Sequence, residues 1–254
     1  MIRLLAILAA TAPSLLSILL PAQKYCGWFA YEVASPTPLQ AAVWWAAGHA
    51  ATLLPVVLAL LALWVPRWFP PAGAIAAAAA SVLSALTLVV PYQTPCGPQH
   101  GEWSLTACHV VAVVALLLTR PEQRVPRLRA AIWSGVVLLV LGRALVRNYF
   151  LSGEAGCYAD LNDMWALAFY RLDTAEGVYA WVAVAAIGAV FAERRAAPFL
   201  GLVLLVPALF EPVAWFLSGA AHNCSSALEL FGWPYLIAGV LALLSHARLT
   251  RQPQ

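Results

Sequence analysis

The chain has 254 residues, 63% of them hydrophobic and only 10% charged, with a formal net charge of +3. A soluble domain carries roughly 25% charged residues, so water is not the main solvent of this chain. A charge this small, with arginines gathered at the ends of apolar segments, also excludes a nucleic-acid-binding surface.

A helix crossing a bilayer needs about 17 to 25 mostly apolar residues. In chain order such runs fall at 4–20, 41–65, 73–92, 104–119, 130–147, 176–193, 198–218 and 232–247. They predict an all-α, polytopic transmembrane bundle of eight spans forming a single integral membrane domain. The breaks suit this reading: residues 66–72 hold three prolines, residues 120–129 hold four arginines, and residues 194–198 form a short basic turn. The first run, preceded by Met1, Ile2 and Arg3, also resembles a signal peptide, but no small-residue cleavage site follows it.

Positive charge sets the orientation, because cytoplasmic loops accumulate Lys and Arg. With both termini cytoplasmic, Arg3, Arg67, Arg120, Arg124, Arg127, Arg129, Arg194, Arg195, Arg248 and Arg251 lie inside, and only Lys24, Arg147 and Arg171 lie outside. The excess of arginine over a single lysine, with abundant Ala and Leu, points to a GC-rich bacterial host. The expected setting is therefore the bacterial inner membrane, with the lipid bilayer as partner and other membrane subunits as candidate partners.

In this topology each outer loop carries one cysteine: Cys26, Cys96, Cys157 and Cys224. In an oxidising compartment they are candidates for two disulfides, with Cys26–Cys96 and Cys157–Cys224 favoured among the three possible pairings. An acid follows each one: Glu32, Glu102, Asp163 and Glu229. The recurrence suggests two duplicated four-helix halves displaced by about 130 residues, an arrangement that places transporter sites at the repeat interface. Unrelated short loops that each happen to hold a cysteine and an acid remain the alternative. The long outer segment 148–175 contains Trp165, Phe169 and Tyr170, as an interfacial helix would.

Ionisable side chains inside spans are costly and are functional candidates by default. His49, His109, Arg143 and Glu211 all fall in the outer half of the membrane, where an outward-facing polar pocket would hold them. Arg143 and Glu211 lie equally deep in spans five and seven. They read either as a structural ion pair or as a ligand site, with Arg143 on an anionic group and Glu211 on a proton or cation. Pro212 and Pro207 near Glu211, and Pro55 in span two, each remove a backbone donor. Cys108 beside His109 hints at a soft-metal site, but adjacent helical residues diverge by about 100° and no i, i+4 ligand pair supports it. No metal and no cofactor is implied.

Three functions follow: a transporter, receptor or ion-handling protein with an outward-facing pocket, a non-catalytic accessory or scaffold subunit of a larger membrane complex, and a periplasm-facing thiol oxidoreductase. The last lacks the Cys-x-x-Cys pair that disulfide exchange uses, and His-Glu-x-x-His is absent as well. The topology has a direct test. A cysteine placed at Arg124 should resist a membrane-impermeant thiol reagent applied from outside, and labelling there would overturn the inside–outside assignment.

Overall fold

The computed structural model describes residues 2–19, 36–94, 97–120, 124–150, 177–194, 197–217 and 232–247, with backbone alone for 16–19, 94, 147–150, 177–178, 209–217 and 246–247. Among these the fold is mostly helical: α1 Ile2–Leu19, α2 Pro38–Trp64, α3 Phe69–Val89, α4 Trp103–Leu117, α5 Arg127–Phe150, α6 Gly177–Val190, α7 Ala197–Leu217 and α8 Trp233–Ala247. The exception is a small antiparallel hairpin, β1 Tyr92–Thr94 with β2 Gly97–Gln99, in register Tyr92 opposite Gln99. Gly97, at φ 104°, takes the left-handed backbone that closes this hairpin. Three helices are long and apolar enough to cross a membrane by length and composition: Pro38–Trp64, Phe69–Val89 and Arg127–Val146.

Two helix starts differ from the apolar runs, for chemical reasons. α2 begins at Pro38, three residues before its run, because Thr37 and Gln40 form a capping box. Thr37 Oγ1 accepts from the Gln40 amide, and Gln40 Oε1 accepts from the Thr37 amide at 2.9 Å. Pro38 then sits at the first helical position, where a missing N–H costs nothing. The same rule starts α3 at Phe69 rather than residue 73: Pro70 and Pro71 belong to its first turn, and the break shortens to Val65–Trp68.

The exposed and buried faces divide by size. On α3 the buried residues after the first turn are Gly73, Ala74, Ala77, Ala80, Ser84 and Thr87, while Ile75, Val82, Leu86 and Val89 are exposed, Ile75 by 71% and Val89 by 74%. On α4, Ala112 and Ala115 are buried along with His109 and Leu116, and Val110, Val111, Val114 and Leu117 are exposed. A mostly small inward face with large apolar residues outward suits helices that meet each other closely and face lipid.

The helices form two compact units, Met1–Leu61 with Val65–Glu122, and Ala62–Trp64 with Gln123–Gln254. In the first, α4 packs against both α3 and α1. Leu58 of α2 and Leu116 of α4 close over Gly73, where a Cβ would come within 2.8 and 3.3 Å of them. Trp44 Nε1 donates to Val90 O at 2.8 Å, and its ring meets Tyr92 at 5.7 Å. The Arg3 guanidinium lies 4.8 Å over the Phe69 ring, fixing the start of α1 to the start of α3.

In the second unit α5 packs on α6 and α8, and α7 packs on the same two helices, so the four form a ring with α5 and α7 at opposite corners. Trp133 of α5 is fully buried against Gly188 of α6, where no Cβ would fit. Arg129 Nη1 pairs with Glu193 Oε2 at 3.1 Å, fixing the start of α5 to the turn after α6. Where α7 crosses α8, Gly201 meets Gly239. A Cβ on Gly239 would lie 2.6 Å from Leu205 Cδ2 and 2.8 Å from the Gly201 carbonyl oxygen. A backbone oxygen cannot swing aside. Gly239→Ala should therefore lower stability by about 1–3 kcal/mol, read by denaturant unfolding in detergent micelles. Gly135→Ala, on α5 with nothing within 4 Å, is the control and should not be destabilised.

Candidate functional site

α3 and α4 carry a buried polar cluster between them. Along α3 the hydroxyls of Ser81, Ser84 and Thr87 recur every third residue, so they share one face. Ser84 and Thr87 are buried. Thr106 and His109, also three apart, supply the facing polar groups from α4. Ser84 Oγ is the centre. It donates to Ala80 O at 2.9 Å, with Ser81 O at 3.0 Å, receives the Thr106 hydroxyl at 3.3 Å, and lies 3.2 Å from His109 Nδ1. Thr87 Oγ1 donates to Ser84 O at 2.7 Å. His109 is 1% exposed, and its Nε2 is buried without a hydrogen-bond partner.

The other predicted site residues fall as follows. His49 engages its own helix: Nδ1 lies 2.8 Å from Trp45 O and the ring stacks on Trp45 at 4.1 Å. No described contact joins it to His109. Arg143 is buried within the second unit, only 5% exposed. Glu211 is on α7, at the corner of the ring opposite α5, and its side chain lies outside the described residues. Glu102 is exposed just before α4, where its Oε2 accepts from Ser104 Oγ at 3.2 Å. Glu32, Asp163 and Glu229, the four outer cysteines Cys26, Cys96, Cys157 and Cys224, and the segment with Trp165, Phe169 and Tyr170 all lie outside the described residues.

Cys108 is a partly exposed free thiol. Among the described residues no three His, Cys, Asp or Glu side chains gather as metal ligands. The arrangement at Ser84 instead offers hydrogen bonding and proton exchange: three hydroxyls and one imidazole with an unpartnered ring nitrogen in an apolar bundle. Sequence reading found His109 and missed Ser84 and Thr106, since a hydroxyl in an alanine-rich helix hardly changes its hydropathy. The signal was present as the three-residue spacing of Ser81, Ser84 and Thr87.

Ser84→Ala should strand both the Thr106 hydroxyl and His109 Nδ1. The expected cost is about 1–2 kcal/mol, the range for hydrogen bonds inside apolar bundles. Thermal unfolding in detergent measures it, with Ser84→Thr, which keeps the hydroxyl, expected to recover most of the loss.

No family model, no curated protein and no solved structure matches this chain.

Proposed function

We propose that this chain is an eight-span inner-membrane protein of bacterial type, both termini cytoplasmic, whose second half binds a small anionic ligand at a polar site in the outer half of the membrane, as a transporter, receptor or ion-handling protein. The carrying observation is the burial of Arg143, 5% exposed, on α5. A guanidinium cannot be neutralised at any working pH, and an ionised group inside a span is retained at a cost that function explains. Glu211 stands on the opposite corner helix at matching depth. In this reading Arg143 contacts the ligand's negative group and Glu211 carries a proton or a cation.

The membrane setting has its own support. Trp45 and Trp64, both more than half exposed, lie nineteen residues apart on α2. At ~1.5 Å per residue that is roughly 28 Å, close to the ~30 Å hydrocarbon core whose boundaries tryptophan favours.

Two related halves are supported by the way each unit packs. In both, the fourth helix packs on the third and on the first: α4 on α3 and α1, α8 on α7 and α5. Pro70 and Gly73 in α3 recur as Pro198 and Gly201 in α7, and each glycine meets the fourth helix of its own unit. α4 and α8 both begin with an exposed tryptophan, Trp103 and Trp233, and bury Ala112 and Ala242 at the same position in the helix. Each unit also uses an arginine in the first turn of its first helix to hold a residue at or just before its third, Arg3 on Phe69 and Arg129 on Glu193.

The ligand reading has a concrete test. Inorganic phosphate and a panel of small carboxylates should raise the melting temperature of the purified protein, and Arg143→Gln should abolish that shift. Absence of any shift in the parent, or an equal shift in Arg143→Gln, would overturn it. If Arg143 and Glu211 are instead a purely structural pair, replacing both with leucine should restore the stability lost in either single variant. An accessory role predicts a copurifying membrane subunit and no response to anions.

A further inference from the structure

We infer that His109 Nε2 is a proton-accepting site in the first unit, separate from the anion site proposed for the second. The inference deepens the ion-handling reading above and rests on it for the depth of α4 in the membrane.

The argument begins with the valence of one hydroxyl. Ser84 Oγ has a single proton and two lone pairs. Its proton has closer acceptors in Ala80 O, at 2.9 Å, and Ser81 O, at 3.0 Å, than in the imidazole at 3.2 Å. The lone pairs then receive two donors, the Thr106 hydroxyl and His109 Nδ1. This count of donors and acceptors favours the hydrogen on Nδ1. A neutral imidazole has only one N–H, which leaves Nε2 as a bare lone pair, buried and unpartnered.

A single lone pair suits a single occupant that needs no cavity. A metal ion would require further ligands, and among the described residues no group of three exists. A proton requires only the lone pair. On uptake a hydronium ion gives its proton to Nε2 and leaves as water, the Nδ1–H bond to Ser84 remains, and the ring becomes imidazolium.

The surroundings make this charge transient. α4 packs against α3 and α1. α3 has no acidic or basic side chain, and α1 has only Arg3, at its first turn against Phe69. On and beside α4 the titratable groups are Cys108, Glu102, Tyr92, which faces Trp44, and His100, whose Nδ1 lies 2.9 Å from Leu88 O. None is a carboxylate within α1, α3 or α4, so the imidazolium has no fixed counter-ion there. His109 lies six residues after Trp103, about 9 Å along the helix from the start of α4, the outer side in the proposed topology.

Nitrogen NMR of the histidine-labelled full-length protein in micelles tests this, with His109→Asn assigning the resonance. The expected result is the Nδ1–H tautomer at alkaline pH and conversion to imidazolium on acidification of the folded protein. An Nε2–H tautomer, or a His109 signal that stays neutral down to pH 4 while the fold persists, would overturn the inference. Ser84→Ala should erase the tautomer preference. If that variant does not fold, the parent spectrum still decides. Arg143→Gln should leave the His109 signal unchanged, so failure of the anion site and failure of the proton site are separately visible.

Discussion

The close approach of helix backbones at small residues is the constraint on which the other features depend. At the crossing of α7 and α8, each glycine sits where a side chain would strike the other helix: Gly239 faces the Gly201 carbonyl, and Gly201 faces the Ala242 Cβ. Burial of large side chains cannot drive such contacts, because in lipid they gain nothing by turning inward. Dispersion between backbones does, and it falls off within an ångström or so. Leucine, valine and isoleucine are then free to face outward. Most polar groups in such a bundle are satisfied locally, since water does not reach them.

That second demand sorts the hydroxyls and histidines into two kinds. Thr11 and Thr52 each donate to the carbonyl four residues back in their own helix, at 2.8 and 2.9 Å, Thr119 just past the end of α4 donates to Ala115 O at 2.8 Å, and Ser245 donates to the carbonyl three residues back at 2.6 Å. They ask nothing of a neighbour, and neither does His49 through Nδ1, which reaches its own Trp45 carbonyl. Ser84 bonds its own helix and also accepts from another. His109 turns wholly across the interface. A side chain that reaches across ties two helices in one register, so the Ser84–His109 contact specifies how α3 meets α4 while small residues merely permit it.

The positions of the helices were readable because hydropathy integrates over a whole span, and each of the eight apolar runs coincides with one helix. Their faces were less so. Ala77 is buried and Val82 is exposed, and hydrophobicity alone would have ranked them the other way. Size was the informative property. The start of α2 at Thr37 and of α3 at Phe69 was also legible, in Thr-Pro-Leu-Gln and in the adjacent prolines, but through capping chemistry and not through apolar length. The hairpin of Tyr92–Gln99 carried little signal: its strands are three residues long and contain Pro98. Arg143 and His109 stood out as isolated ionisable groups, whereas the partner of His109 depended on which faces of α3 and α4 meet, which linear spacing does not record.

The tryptophans of α2 have a mechanical consequence. The helix runs 27 residues, about 40 Å, so it outreaches a ~30 Å hydrocarbon layer, and its Trp45 and Trp64 rings act as two floats set at a fixed separation. A thinner bilayer could keep both at the headgroup level only by tilting the rod. Leu58 lies between the two rings and rests on Gly73, so the meeting point of α2 with α3 falls within the stretch of helix whose tilt would change.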